Sequence, residues 1–262
     1  MGYSLVTEPL IVSPNRMLVM GPPNSGKTES GKTWPRPTHH FFYPGERGEA
    51  TAIGNVAPDY KVYKWTLTDA EKMSSGAVVT AVETLTWEIL GGKYGPVTSF
   101  IGDGIHKYYG FILDWITGGS FFKGEEFDTK LYARSHEHFI YYVQRIAASL
   151  TDNVAFLCWD GQEPDTPGQR GGPSHTYPDF PGKMAKRIMG EFGVVVYAEV
   201  NWAMRMPGKA APATWQLIPE GKVWGAGIKV PLDVVLGLPI RIEQSFPKLV
   251  ETLDTAWKKA KK

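Results

Sequence analysis

The sequence has little cysteine, no long apolar run and almost no net charge, and each of these absences excludes a class of protein. Its 262 residues contain one cysteine, Cys158, which cannot form a disulfide within the chain and is typical of a reducing compartment. No stretch approaches the roughly 18 consecutive apolar residues of a membrane span, and residues 1–20 lack the pattern of a secretory signal. We therefore expect a soluble, cytoplasmic protein without a membrane partner.

The small net charge restricts how the protein could bind a polyanion. Lys and Arg number 28 and Asp and Glu number 27, for a net charge of +1, so no global field attracts nucleic acid. The charge is uneven along the chain, because residues 201–262 contain ten basic and five acidic side chains. Any contact with nucleic acid must be local, and the basic C-terminal region is one candidate for it.

Short apolar runs separated by longer amphipathic segments indicate an α/β protein. The runs are rich in β-branched and aromatic residues, a pattern typical of a parallel sheet with helices on both faces. They are Met17–Met20, His40–Tyr43, Val97–Ile101, Val154–Trp159 and Val194–Val200. The clearest helices are predicted over residues 129–150 and 69–90, the second with Asp69 as its N-cap.

The pattern changes beyond residue 200. Residues 214–218 and 222–230 are predicted to be short strands around a turn, and residues 246–259 a closing basic helix. We expect these elements to add a short antiparallel extension to the same sheet. Residues 1–262 would then form a single domain, with its core at about residues 15–200.

One long segment, residues 160–182, has the composition of a functional loop. It follows a predicted strand and contains five prolines and five glycines, which disfavour both helix and strand. Loops longer than about 15 residues are uncommon in compact domains unless they carry a function. The composition predicts no regular structure here and indicates a binding loop.

The most specific motif follows the first predicted strand. Its residues match the phosphate-binding pattern G-x-x-x-x-G-K-[ST] and are Gly21, Pro22, Pro23, Asn24, Ser25, Gly26, Lys27 and Thr28, here called the glycine-rich loop. Such a loop at a helix N-terminus aims several backbone N–H groups at phosphates. Lys27 would contact the β- and γ-phosphates, and the Thr28 hydroxyl would bind Mg²⁺. The sequence therefore predicts a site for ATP and Mg²⁺.

A second match overlaps the first, because Ser-Gly-Lys-Thr occurs twice. In the second match the lysine and threonine are Lys32 and Thr33. Only the first match follows an apolar strand, and a proline two residues after Thr33 would end a helix that began there almost at once. We expect Lys32 and Thr33 to be ordinary residues of the first helix.

Two carboxylates follow neighbouring predicted strands and would complete the site. Asp103 ends an apolar strand, where a second group to hold Mg²⁺ and its water shell is expected. Glu46 follows the second strand, at the edge of the sheet that faces a nucleotide, and is the candidate general base, with Glu49 in reserve. The alternatives are that Asp103 merely ends a strand and that Glu46 is a solvated turn residue.

The order of these features resembles the RecA-like ATPase core, and more closely the phage-encoded RecA-like ATPases of the Sak type, which act in single-strand annealing and recombination. The resemblance covers roughly residues 15–232 and implies a RecA-like P-loop NTPase fold. Its matching stretches are the glycine-rich loop, residues 35–48, 97–103, 153–157, 177–183 and 215–217, and Lys229. Gly102 and Gly104 depart from the family pattern, because an aliphatic residue and a serine are expected on either side of Asp103.

The resemblance also implies roles outside the glycine-rich loop. Gln162 falls where such proteins keep a polar residue that senses the γ-phosphate, and Lys229 where a basic residue reaches the nucleotide of a neighbouring subunit. Residues 160–182 would be the DNA-binding loop, with cations for phosphates and an aromatic ring for stacking. The candidate DNA-binding residues are Arg170, His175, Tyr177 and Lys183.

Together these features predict ATP binding and Mg²⁺-dependent hydrolysis by a homo-oligomeric ring or filament. The resemblance implies action on single-stranded DNA in phage-type recombination, annealing or replication, in the host cytoplasm, and a single-strand-binding protein is a further expected partner. A small-molecule kinase is one alternative, although the arginines that such kinases cluster in a lid are few and scattered here. A nucleotide-gated assembly protein with little turnover is the other.

Overall fold

A mostly parallel β-sheet organises the computed structural model, which describes residues 16–53, 57–65, 73–149, 153–162, 176–181, 183–201, 212–220, 226–230 and 232–260. In chain order the strands are β1 (Arg16–Met20), β2 (Thr38–Phe42), β3 (Tyr60–Lys64), β4 (Ser99–Asp103), β5 (Asn153–Cys158), β6 (Asp160–Gln162), β7 (Thr176–Pro178), β8 (Val194–Val200), β9 (Ala213–Gln216), β10 (Gly227–Ile228) and β11 (Arg241–Glu243). The helices are α1 (Lys27–Ser30), α2 (Glu49–Ile53), α3 (Ser75–Leu90), α4 (Ile105–Ile116), α5 (Ser120–Lys123), α6 (Lys130–Ala147), α7 (Met184–Met189), α8 (Leu232–Val235) and α9 (Phe246–Ala260).

The main sheet has the strand order β11-β9-β8-β1-β5-β4-β2-β3. From β8 to β3 every neighbouring pair is parallel, whereas β9, β10 and β11 pair antiparallel. The expected antiparallel extension is therefore present, and β9 continues the sheet directly from β8. Because the central strands are parallel, the segments that follow β1, β2, β4 and β5 all begin at the same edge of the sheet.

Both faces of the sheet are covered, as the alternation along β1 illustrates. Leu18 and Met20 belong to an apolar cluster with α3, α4, α6 and α7, whereas Met17 and Val19 face a second cluster with α8 and α9. The predicted α/β architecture with helices on both faces is thus confirmed. None of the helices in the described part of the chain has the length and apolar composition of a membrane span.

The five apolar runs all form strands of the main sheet, with ends that differ from the predicted ones by a few residues. The predicted helix over residues 129–150 is α6, and the closing helix is α9. Of the two predicted C-terminal strands, the first is β9 and the second is limited to β10 within the described residues. Hydrophobic periodicity therefore located these elements well.

Asp69 is not the N-cap of the long helix α3, which corrects the sequence prediction. Asp69 itself lies outside the described residues, and α3 begins at Ser75. Ser74 is its N-cap, with extended backbone angles and a side-chain oxygen that accepts a hydrogen bond from the Ala77 N–H at 3.3 Å. A serine cap satisfies a free N–H of the first turn as well as an aspartate does.

The first helix is also shorter than predicted. It ends at Ser30, and residues 31–33 form a 3₁₀ turn, so Lys32 and Thr33 lie in that turn and not in the helix. The Thr33 hydroxyl donates to the Ser30 carbonyl at 2.7 Å and accepts from the Phe246 N–H at 3.0 Å. These bonds stabilise the tighter turn and attach it to the start of α9.

The segment 160–182 contains regular structure, contrary to the sequence prediction. Its two ends pair as an antiparallel ribbon of β6 and β7, in which Asp160 faces Pro178 and Gln162 faces Thr176. The proline is tolerated because a two-stranded ribbon has free edges where no N–H is required. We call β6 and β7 the ribbon; residues 163–175, which join its strands, lie outside the described residues.

Candidate functional site

The glycine-rich loop adopts backbone angles that few residues tolerate. Gly26, the N-cap of α1, has φ of 84°, and Asn24 has φ of 62°, in the left-handed region where glycine and asparagine are most acceptable. A Cβ atom at Gly21 would lie 2.4 Å from the carbonyl oxygen of Ala198 in β8. The glycines of the motif are therefore required by the conformation and by the close approach of β8.

The Lys27 side chain folds back over the loop. Its ammonium donates to the carbonyl oxygens of Gly21 and Pro22, both at 2.7 Å, and to the Ser25 hydroxyl at 3.2 Å. Burial lowers the pKa of Lys27, and the nearby carboxylate of Asp103 opposes this effect. The three acceptors match the three ammonium hydrogens, so a bound phosphate would exchange with one or more of them.

Asp103 lies directly beside the loop, as predicted. The Thr28 hydroxyl donates to Asp103 Oδ2 at 2.7 Å, and the carboxylate is 4% exposed. Its position follows from the sheet, because β4 ends at Asp103 two strands away from β1. The structure thus brings together the motif threonine and the predicted second carboxylate, 75 residues apart in sequence.

Asp103 also contacts His40, which in turn contacts Tyr60. The sequence alone did not predict a role for either residue. His40 Nε2 lies 3.4 Å from Asp103 Oδ2, and His40 Nδ1 lies 2.5 Å from the Tyr60 hydroxyl. Both side chains are buried, and burial raises the pKa of Tyr60. A histidine inside an apolar strand was the available signal, but His40 became relevant only through the pairing of β2 with β4.

The structure explains why glycine stands on either side of Asp103. A Cβ at Gly102 would lie 2.8 Å from ring carbons of both Tyr43 and Phe156. Gly104 has φ of 81°, and a Cβ there would lie 2.9 Å from Glu46. The departures from the expected family pattern therefore accompany the aromatic packing around β4 and the placement of Glu46.

Glu46 lies at the rim of the same site, after β2. Its Oε2 atom is buried and lies 3.3 Å from Nζ of Lys107, while Oε1 accepts a hydrogen bond from the Arg47 N–H at 3.2 Å. The Glu46 side chain is 12% exposed and thus not a solvated turn residue. Glu49, the reserve candidate, is the first residue of α2.

A cavity of about 270 Å³ joins these groups. Its lining includes Lys27, Thr28, Glu46, Arg47, Asp103 and Trp159. Trp159 directly follows β5, which lies between β1 and β4 in the sheet. The cavity therefore combines cationic, hydroxyl and carboxylate groups with one aromatic wall at the carboxyl ends of the parallel strands.

The oxygen ligands fit a magnesium ion that arrives with a nucleotide. No cluster of three or more His, Cys, Asp or Glu side chains within the described ranges could hold a metal by itself. Mg²⁺ is usually bound by one or two carboxylates together with substrate phosphates and water. The adjacent oxygens of Thr28 and Asp103 match that donor set.

The C-terminal extension supports the loop through Gln244, which the sequence reasoning also missed. The Gln244 amide nitrogen donates to the carbonyl oxygens of Ser25 at 2.8 Å, Thr214 at 2.9 Å and Glu199 at 3.3 Å. Its side chain faces Gly26 so closely that a Cβ there would lie 2.7 Å from Gln244 Oε1. Elements beyond residue 200 thus hold the loop in its conformation.

The predicted DNA-binding residues divide between described and undescribed parts of the chain. Tyr177 lies in β7, with Nζ of Lys186 5.1 Å from the centre of its ring, and Lys183 is exposed just before α7. Gln162 is the last residue of β6, three residues after Trp159. Arg170 and His175 lie outside the described residues.

Lys229 lies far from the cavity of its own chain. Its backbone N–H donates to the Gly193 carbonyl at 2.8 Å, and its ammonium donates to the Gly190 carbonyl. Gly193 precedes β8, whereas the glycine-rich loop lies beside Ala198, five residues along that strand. At about 3.3 Å per residue this is roughly 16 Å, so the Lys229 ammonium does not reach the cavity of its own chain.

No protein-family model and no curated protein matches the sequence. The cavity at the ends of β1, β2, β4 and β5 brings cationic, hydroxyl and carboxylate side chains together.

Proposed function

We propose that the protein is a RecA-like P-loop NTPase that binds ATP with Mg²⁺ and hydrolyses it, and that this activity serves an action on single-stranded DNA. The observation that carries the proposal is the 2.7 Å contact between Thr28 and Asp103 next to the buried ammonium of Lys27. A phosphate-binding lysine, a hydroxyl and a carboxylate at the strand ends are the groups that phosphoryl transfer needs.

The glycine-rich loop would bind the phosphates. Its backbone N–H groups and the Lys27 ammonium would surround the β- and γ-phosphates, and Lys27 would exchange carbonyl partners within the loop for phosphate oxygens. This exchange is favourable because a charge-assisted bond to phosphate is stronger than a bond to a neutral carbonyl. Lys27 would thus both neutralise charge and orient the transferred group.

Thr28 and Asp103 would hold Mg²⁺. When bound, the ion would neutralise negative charge on the phosphate oxygens. Asp103 Oδ2 accepts a hydrogen bond from the Thr28 hydroxyl, and the same oxygen lies 3.4 Å from His40 Nε2. Asp103 is therefore oriented before a nucleotide arrives.

Glu46 would accept the proton of the attacking water. It lines the cavity with a buried carboxylate oxygen, Oε2, that makes no hydrogen bond with any of the described residues. A general base needs a carboxylate oxygen that the attacking water can reach. The Lys107 ammonium, 3.3 Å away, orients this carboxylate.

The segment after β5 would connect the nucleotide to DNA. Because β5 lies between β1 and β4, Trp159 and the ribbon begin between the glycine-rich loop and Asp103. Gln162 would respond to the γ-phosphate. The single-stranded DNA would be contacted by Tyr177, Lys183 and the joining residues 163–175. With a net charge of +1, affinity would come from repetition along a homo-oligomer in which Lys229 serves a neighbouring site.

The rate of ATP hydrolysis, measured with and without single-stranded DNA, tests the proposal. We expect Mg²⁺-dependent hydrolysis that single-stranded DNA accelerates. A kinase would need an added small-molecule acceptor, and an assembly protein would bind ATP with little turnover under either condition. Among the described residues, Arg47 is the one arginine that lines the cavity, which argues against the kinase because such enzymes gather several arginines around the phosphates.

A further inference from the structure

Lys107, near the start of α4, contacts two parts of the cavity rim, the turn that contains Gly45 and Glu46 and the ring of Trp159. Its ammonium donates to the Gly45 carbonyl at 2.6 Å and lies 3.3 Å from Glu46 Oε2. The same ammonium lies 4.4 Å from the centre of the Trp159 ring. Lys107 therefore stabilises the turn that contains Glu46, and the Lys107 ammonium is itself positioned by its contact with the Trp159 ring.

Trp159 is attached to the ribbon. Trp159 is the residue between β5 and β6. Its carbonyl oxygen accepts a 2.8 Å hydrogen bond from the backbone N–H of Asp179, which directly follows β7. Both ends of the ribbon therefore meet at Trp159. A displacement of the ribbon would move the ring on which Lys107 rests.

Among the described residues, Lys107 is the cation that lies over the Trp159 ring. His106 also packs against Trp159, with ring centroids 5.3 Å apart, but burial lowers the pKa of His106 to about 3. His106 is therefore neutral, and neither of its ring nitrogens has a hydrogen-bond partner among the described residues. The electrostatic link from the ring to Glu46 runs through Lys107.

We propose that Lys107 is a positioning residue that couples the ribbon to Glu46, so that occupation of the ribbon by single-stranded DNA changes the orientation of the Glu46 carboxylate. The inference rests on the proposed function, because Glu46 has a role only if the protein hydrolyses ATP. The path consists of three direct contacts, from Asp179 to Trp159, from Trp159 to Lys107 and from Lys107 to Glu46. No contact with the nucleotide is required of Lys107.

Steady-state kinetics of ATP hydrolysis with and without a single-stranded oligonucleotide tests the coupling. Lys107→Met keeps the length of the side chain and removes the charge, whereas Lys107→Arg keeps the charge and can still stack on the ring. Lys93→Met is a matched control, because Lys93 also pairs with a glutamate, Glu88 at 2.6 Å, and lies over a ring, that of Tyr94 at 5.6 Å, away from the cavity.

We expect Lys107→Met to lower the DNA-stimulated kcat by roughly tenfold or more, with the KM for ATP and the affinity for the oligonucleotide within about twofold of wild type. Lys107→Arg should restore most of the stimulated kcat, and Lys93→Met should match wild type. Trp159→Leu, which removes the ring, should lower the ratio of DNA-stimulated to unstimulated kcat. This variant tests the coupling if Lys107→Met does not fold.

The outcomes that overturn the coupling differ from those that overturn the proposed function. Normal stimulation of Lys107→Met, a change in KM alone, or a loss that Lys107→Arg does not restore would overturn the role of Lys107 while leaving the ATPase intact. An unchanged ratio in Trp159→Leu would do the same. A wild-type protein without DNA-stimulated hydrolysis would overturn the proposed function and the coupling together.

Discussion

The Thr28 hydroxyl donates a 2.7 Å hydrogen bond to Asp103 Oδ2, although 75 residues separate the two. The contact exists because β1 and β4 are parallel strands that end at the same edge of the sheet, with β5 between them. It places a hydroxyl and a carboxylate next to the ammonium of Lys27.

Lys27→Ala should abolish ATP hydrolysis and weaken ATP binding, because it removes the charge that would contact the β- and γ-phosphates. Lys32→Ala is the matched control from the overlapping motif. Lys32 forms an exposed ion pair with Glu29, and such pairs contribute at most about 1 kcal/mol, so this variant should keep both activities. If Lys32→Ala were the damaging change, the choice between the two overlapping motifs would be wrong.

Asp103→Asn and Glu46→Gln should separate metal binding from proton transfer. Asp103→Asn should weaken Mg²⁺-dependent nucleotide binding, since the amide is a poorer ligand for a hard cation. Glu46→Gln should leave binding intact and slow turnover by roughly 10²-fold or more, as loss of a general base does. Nucleotide titrations and single-turnover rates measure the two effects, and unchanged turnover in Glu46→Gln would move the base to Glu49 or elsewhere.

Gln244→Ala should destabilise the protein by about 2 kcal/mol, because it removes an amide donor from partly or fully buried carbonyl oxygens. The most affected are those of Ser25 and Thr214, each within 2.9 Å of the Gln244 amide nitrogen. Gln144→Ala is the control, since Gln144 makes an exposed bond to Glu191. Urea unfolding curves would show the difference, and equal midpoints for the two variants would contradict a supporting role for Gln244.

Stability should decline in acid partly through His106. Burial lowers the pKa of His106 to about 3, from 6.5 in the unfolded chain, so between these values the unfolded chain binds a proton that the folded protein does not. The free energy of unfolding therefore falls as pH falls through this window, by up to about 1.4 kcal/mol per pH unit. His106→Leu should lose less stability than wild type between about pH 7 and pH 4; parallel losses would refute the assignment.

Single-stranded DNA should bind with little sequence preference and with an affinity that falls as salt rises, because each neutralised phosphate releases a counterion. Binding should rise steeply with protein concentration and should be stronger with a non-hydrolysable ATP analogue. Fluorescence anisotropy of a labelled strand compares wild type with the double variant Arg170→Ala, Lys183→Ala. Equal DNA binding by both proteins, with and without the analogue, would show that Arg170 and Lys183 do not contribute to binding. The basic C-terminal region would then be the next candidate for the DNA-binding site.

The sequence by itself determined the elements whose signals are local. Strict apolar runs specified the core strands, and a regular three- and four-residue spacing specified α6, because burial on a sheet face or a helix stripe requires that periodicity. The glycine-rich loop was equally clear in the sequence, because its conformation requires glycine. Gly26 has a positive φ angle, and Gly21 lies too close to the backbone of Ala198 for a side chain. Asp103 could be placed because a carboxylate at the end of an apolar strand has a recognisable position.

Only the tertiary structure decided the contacts that bring distant residues together. Pairing of β6 with β7 depends on few backbone bonds and leaves no periodic pattern in the sequence, so the composition predicted a binding loop without regular structure there. Gln244 reaches Ser25 across 219 residues, and Lys107 meets Trp159 only because α4 and the end of β5 lie at one edge of the sheet. Such contacts depend on strand order and packing, which arise from the whole chain at once and not from any local run of residues.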